Sequence, residues 1–392
     1  QISDDKKNLL DSFLSNGFPT TKDEEWKYTS LKKVIANEYS IENKGQVVDY
    51  SVIEKYSLGF ENQIIFSDGK LINTPTIRGV SISDFSEFES NTTDSILALN
   101  KSLSQNGFTI SVDKNTVVEN PIEILFFSTT KNNFSQYRNQ IIIGDNAEIK
   151  FVEKIQNLSN STSFVNNFTQ IKCGKNTNIE YNKIQNNTEK SKLIDTMNIF
   201  QQEDSTCNVN TLIFGGNFTR NNLNFEQNGF NCESNMNGVS ILNDSQLADN
   251  HTFVDHKRSH CRSNEMYKGI YLGDSKGVFN GKIMVRPDAQ KIDAFQSNNN
   301  LLLSENSTID SKPQLEIYAD DVKCSHGCTI GQLDKDALFY MRSRGIGLEE
   351  AKVVLTYAFA SEAIEKITVD QVKLLAQKLL SKKLNVKLDF SV

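Results

Sequence analysis

Gly144–Glu180 reads GDNAEIKFVEKIQNLSNSTSFVNNFTQIKCGKNTNIE. The phrase GDNAEI at 144–149 returns as GKNTNI at 174–179 and as EDSTCNV at 203–209, with SENSTI at 304–309 as a later echo. Ile149, Ile179, Val209 and Val239 stand 30 residues apart. A small polar turn followed by a β-branched residue at a fixed distance is the pattern of stacked rungs, in which each coil lays its apolar side chains over those of the last. A sandwich or barrel with evenly spaced turns is the other architecture this spacing allows.

Working outward, the region reads as strand after strand: FTISV at 108–112, IEILFFS at 122–128, NQIIIG at 139–144, EIKFVEKI at 148–155 and FTQIKC at 168–173. Thr, Ile, Val and Phe alternate with polar residues, as in half-buried strands. No proline occurs between Pro121 and Pro287, which suits a sheet whose amides are paired. Asparagine tolerates left-handed backbone angles, so its abundance marks tight turns. Triplets such as Asn157-Leu-Ser159 and Asn167-Phe-Thr169 arise by chance in such a chain and are not read as glycosylation sites.

The flanks differ. Three regions are expected: a helical and mixed segment over 1–90, a β core over 91–333 and a helical domain over 334–392. At the start, Ser3 caps a predicted helix that turns Leu9, Leu10, Phe13 and Leu14 inward and ends at Gly17 and Pro19. Thr21 and Glu24 form a capping box for a short second helix carrying Trp26. Ser67-Asp68-Gly69 reads as a hairpin turn within 64–72. At the far end, Asp334 or Asp336 caps a helix that runs through Arg342 and breaks at Gly345 and Gly347. Val353, Tyr357, Ala360, Ile364 and Ile367 then make an apolar stripe, and Val372, Leu375 and Leu379 a second. Each stripe is either core or a partner surface.

Composition excludes several classes. The net charge is -7, with 49 acidic against 42 basic side chains, which argues against a nucleic-acid protein. No run of about 18 apolar residues is present, so no membrane helix is expected. Gln1 to Leu10 is largely polar and charged, so no signal peptide is expected in this stretch. Six cysteines without regular spacing read as reduced thiols, and the chain is expected to be cytoplasmic. No G-x-x-x-x-G-K-[ST], G-x-S-x-G or H-E-x-x-H motif occurs, so no catalytic machinery is read here.

The residues that carry metal chemistry lie in Pro313–Ile346, PQLEIYADDVKCSHGCTIGQLDKDALFYMRSRGI. In a strand, Cys324, His326 and Cys328 share one face. Lys323 is expected to favour the Cys324 thiolate. Thiolate and imidazole suit iron–sulfur clusters or zinc. A closed zinc site needs a fourth ligand, and none follows at ordinary spacing. The open alternatives are an incomplete site shared with another chain, or two small buried cysteines beside a surface histidine. His251, His256, His260 and Cys261 form a second group, whose spacing fits turn and packing roles rather than one metal.

This stretch resembles the end of the SufB/SufD family of iron–sulfur cluster assembly scaffolds. DHKRSHCRSNEMYKGI, GVFNGKIMV and NNNLLL (298–303) look like the family's consecutive rungs, PQLEIYADDVKCSHG points to its SufD branch, and FYMRSRGI opens its C-terminal helices. GFPTTKDEEWKYTSL near the start is also similar. Cys328 departs from the pattern, where a small residue such as alanine is common. The resemblance implies a right-handed parallel β-helix with flanking helical regions and no nucleotide site of its own. It implies pairing with a SufB-like paralogue through the β-helix end, docking of a SufC-like ATPase on the C-terminal helices, and a possible homodimer in isolation. It assigns Cys324 and His326 as metal ligands to a transient iron–sulfur cluster or iron shared with the partner. The alternative function is a carbohydrate-active β-helix enzyme, which needs positioned carboxylates. Adjacent Asp320 and Asp321 would point apart in a strand.

Overall fold

A computed structural model describes residues 4–41, 48–84, 94–104 and 106–385. Ser3 and the 90/91 boundary lie outside the described residues.

Eight successive strand pairs coil from Phe108–Val112 with Ile122–Ser128 to Thr308–Ile317 with Val322–Gly331. Within each pair the chain crosses to the other of two sheets, one of ten strands and one of nine. Every neighbour along this coil is parallel. The protein is therefore a β-solenoid, and the stacked-rung reading holds over the sandwich.

The repeat is less regular than the spacing suggests. Ile149 does stack on Ile179, but Ile179 stacks on Cys207 rather than Val209, and Val239 stacks on Leu212. Rungs shorten to 26 residues between Lys192 and Phe218 and lengthen to 32 between Lys276 and Thr308. SENSTI lies at the opposite corner from GDNAEI, on the return from the ten-stranded to the nine-stranded sheet.

One corner carries the true periodic signal. Asn115, Asn146, Asn176, Asp204, Asn231, His260 and Lys291 each take a left-handed φ between 53° and 64°. One such residue sits in each of the first seven rungs, and each backbone N–H donates to a carbonyl of the next rung, as in Asn146 to Lys175 at 2.8 Å. Side chains join in: Asn176 Nδ2 donates to Asn146 Oδ1 at 2.9 Å. Asparagine and aspartate tolerate this conformation because their short side chains bond locally.

Three apolar layers result. Ile64, Phe66, Phe108, Ile110, Phe126 and Ile149 belong to the cluster between the two sheets. Trp26, Leu31 and Val34 cover Phe164, Ile194 and Phe218 on the outer face of the nine-stranded sheet. Ala360, Ile364, Ile367, Val372 and Leu380 cover Val239, Ile241, Ile270 and Leu301 on the ten-stranded sheet. The C-terminal stripes are thus core, each fully buried Ile or Leu contributing about 1.5–3 kcal/mol.

Local expectations mostly hold at the termini. The helix Asp4–Asn16 buries Phe13 but leaves Leu14 69% exposed. The capping box does not form: Glu24–Trp26 is a single 3-10 turn with no side-chain cap, and Asp23 Oδ2 instead accepts from Thr20 N at 2.6 Å. Asp68 and Gly69, both at positive φ, make the two-residue hairpin. Asp334 caps Lys335–Ser343 by accepting from Asp336 N and Ala337 N.

Candidate functional site

The last strand, Val322–Gly331, forms the edge of the ten-stranded sheet and has no buried residue. Ala294, Gln296 and Asn298, the partners of Cys324, His326 and Cys328 on the preceding strand, are all buried. The three potential ligands therefore continue inward-facing columns and stand over the open mouth of the solenoid. Among the described residues, a Cβ on Gly327 or Gly331 would meet no atom within 4 Å. A groove of about 660 Å³, lined by Phe295, Gln296, Ser325, His326 and Lys366 among others, runs beside it.

The spacing limits what these residues do together. At about 3.3 Å per residue, Cys324 and His326 lie about 7 Å apart along the strand and Cys324 and Cys328 about 13 Å. Neighbouring side chains can lean onto one metal, whereas the outer pair cannot. Among the described residues no group of three His, Cys, Asp or Glu is placed to hold a metal ion. Cys328 turns elsewhere, its Sγ 3.2 Å from Ser311 Oγ on the facing sheet.

Lys323 does not act on Cys324 as expected. Successive residues on a strand point to opposite faces, and the Cys324 thiol is instead pushed up, by partial burial first and by Asp293, against a backbone hydrogen bond from Ala294. Cys324 rests against the apolar cluster of Cys232, Cys261, Ile283 and Ile292. Burial and Asp293 both favour the protonated thiol.

The second group is dispersed. His260 occupies the left-handed corner column. Cys261 is buried in the core. His256 Nε2 lies 3.0 Å from Ser263 Oγ, and burial brings this imidazole down to about 4. His251 joins a clasp that the sequence did not reveal. Its Nε2 lies 2.9 Å from Asp249 Oδ1 and its Nδ1 3.3 Å from Glu25 Oε2. Arg220 bonds Asp249 at 2.8 Å and stacks 3.8 Å above the Trp26 ring. Burial opposes a charged His251, but Asp249 and Glu25 outweigh it and raise its pKa. Burial likewise opposes a charged Asp249, yet His251 and Arg220 bring it down to about 2. Trp26 thus belongs to a helical segment, as expected, but that segment is tied directly to the solenoid.

The interior polar layer was also missed. Lys183 and Asp195 form a 2.7 Å ion pair between the sheets, with side chains 1% and 0% exposed. Asn139 donates to Asn167 at 2.9 Å and Asn167 to Asp195 at 3.1 Å. Glu153 beside them is pushed up to about 8 by burial and by Asp195. Nearer the mouth, burial pushes Glu265 up to about 7. The signal was the inward phase of these residues, which a polar-rich strand leaves ambiguous.

Asp320 and Asp321 sit exposed in a corner turn rather than a strand, and make no facing carboxylate pair.

The described residues form a parallel β-solenoid covered on both sheet faces, with Cys324 and His326 two residues apart on its exposed last strand. The chain belongs to the SufBD family: residues 126–359 match the model described as SUF system FeS cluster assembly, SufBD core domain. It is 29% identical to the iron–sulfur cluster assembly protein SufD of Escherichia coli over 93% of this chain and 89% of that one. It is 27% identical to an iron–sulfur cluster assembly SufBD family protein of Synechocystis over 92% and 86%. It is also 27% identical to Protein ABCI7, chloroplastic, of Arabidopsis thaliana over 92% and 82%. It is a SufD-like member of the SUF iron–sulfur cluster assembly system.

Proposed function

We propose that this chain is a non-catalytic scaffold subunit that pairs with a SufB-like paralogue through the open solenoid end and supplies Cys324 and His326 to a nascent iron–sulfur cluster or its iron. The observation that carries the reading is the uncapped last strand, where Cys324 ends an apolar column, His326 ends a polar one, and no third His, Cys, Asp or Glu among the described residues is placed to complete a metal site with them. A site that passes its cargo on must be unsaturated, because a closed set of ligands would retain it. The iron or cluster is cargo, borrowed between chains. All six cysteines are free, which agrees with a reducing compartment such as the cytoplasm.

A SufC-like ATPase docks on the C-terminal region. The stripes of Leu348–Ile364 and Asp370–Lys383 are occupied, so the docking surface is Lys335–Ser343, which has no buried residue and leaves Phe339 75% and Tyr340 60% exposed. Aromatic side chains of this exposure are the usual anchors of an interface. Deleting everything past 334 would strip the ten-stranded sheet, so point variants such as Phe339→Asp are the cleaner probe of ATPase capture.

The test of the ligand reading uses Cys324→Ser, His326→Ala and Cys328→Ala in the reconstituted complex, scoring complex assembly and cluster formation separately. The first two should lose cluster formation while the complex still assembles, and Cys328→Ala should retain it. Wild-type cluster yield in both ligand variants would return Cys324 to a packing cysteine and His326 to a surface histidine.

A further inference from the structure

Gln296 is 3% exposed and stands one rung inward of His326, in register with it. Its Nε2 donates to Glu265 Oε2 at 3.1 Å. Glu265 Oε2 also accepts from Thr252 Oγ1 of the facing sheet at 2.6 Å. The other end of the amide, Gln296 Oε1, is buried with no hydrogen-bond partner. A buried carbonyl oxygen left in that state keeps its desolvation penalty without a compensating bond, so its retention asks for a donor that arrives later.

The surroundings are shaped for this amide. Gly281 lies across the interior, and a Cβ there would stand 2.2 Å from Gln296 Nε2 and 2.7 Å from its Cδ. Glycine at 281 is what lets the glutamine reach over. The nitrogen and oxygen of a planar amide diverge, so committing the nitrogen to the Glu265 rung turns the oxygen toward the rung beyond, that of His326.

We propose that Gln296 is the positioning residue of the metal site: its Oε1 accepts the ring N–H of His326, while Glu265 and the gap at Gly281 hold the amide in place. The proposal rests on the reading of His326 as a ligand. A neutral imidazole has one N–H and one lone pair. Fixing the N–H inward leaves the lone pair facing out of the mouth, toward iron. Metal-bound histidines commonly donate their second nitrogen to such an acceptor, and removing it typically costs 10–100-fold in metal affinity.

The test measures Fe(II) affinity of the complex reconstituted with a SufB-like partner and an ATPase subunit. The same complex, with this chain ¹⁵N-histidine-labelled, is then loaded with Zn(II) as a diamagnetic probe. The chain has only 4 histidines, so its ring signals can be assigned one by one. The wild-type complex should show an exchange-protected His326 ring N–H. Gln296→Met, of similar volume, should lose that signal and bind Fe(II) about 10–100-fold more weakly. Gly281→Ala should do the same without altering either polar group. Glu265→Leu should follow them, whereas Glu265→Gln, which keeps an acceptor, should recover most of the affinity. If His326→Ala loses iron but Gln296→Met does not, or if the protected N–H survives in Gln296→Met, the positioning role is wrong and the ligand reading stands. If His326→Ala binds iron as wild type does, both fall.

Discussion

The two ends of the solenoid are built to opposite rules. At the first, all seven residues of Ile122–Ser128 are buried, and the sheets finish in short antiparallel strands, Lys70–Asn73 and Val80–Asp84. At the last, neither Thr308–Ile317 nor Val322–Gly331 buries a residue, and both run parallel to their neighbours up to a bare edge. Short or irregular edge strands are how sheets avoid pairing, and a long open one invites it. The contrast separates what holds the coil together from what it offers to a partner, and substitutions should divide along the same line.

The largest effect is expected deep in the coil. Asp195→Ala strands the Lys183 ammonium between the sheets. It should cost about 3–5 kcal/mol, read as a fall in the denaturant midpoint. A smaller loss would mean that water reaches the interior layer.

Acid should separate His256 and His251 next. Burial holds His256 neutral, with its pKa brought from 6.5 down to about 4. Its contribution is therefore complete above about pH 6.5 and lost as the pH falls toward 4, amounting to about 3 kcal/mol. His251 has the opposite sign. Its folded pKa is raised, so its contribution is complete below the unfolded value and fades as the pH rises through the folded one. Stability against pH for His256→Gln should be flatter on the acid side, and for His251→Gln flatter on the neutral side. Identical curves for the two would deny the clasp at Glu25 and Asp249.

Smaller still is the cap of Lys335–Ser343. Asp334→Ala removes the bonds to Asp336 N and Ala337 N and should cost about 1 kcal/mol, seen as faster amide exchange in that helix. The least effect on stability belongs to the open edge. Ile330→Lys, at a position 51% exposed, should stay within about 0.5 kcal/mol of wild type, yet abolish pairing with the SufB-like chain in size-exclusion analysis.

The sequence made this division only partly legible. Phe108–Val112 and Ile122–Ser128 match their alternating runs residue for residue, because hydrophobic alternation and turn residues are local signals. The left-handed corner was readable as excess asparagine, although His260 and Lys291 hold the same place with other side chains. Rung register was not readable, since rungs of 26 to 32 residues keep no fixed period. Nor was the inward phase of Asn139, Asn167 and Asp195, because a strand covered on both faces carries polar residues on either side without announcing which is within. Cys324 and His326 were singled out by their spacing and a family resemblance, while Gln296 and Glu265 lack any motif and become visible only through register.

The bare last rung has a consequence best put in the language of polymer chemistry. A monomer with two reactive ends grows into a chain, and one with a single reactive end stops at a pair. This coil has its live edge at Val322–Gly331 and a blocked one where Lys70–Asn73 and Val80–Asp84 run antiparallel. In those terms it is monofunctional: if the pairing proposed above uses the live edge, the product is a twofold or pseudo-twofold pair rather than a growing chain.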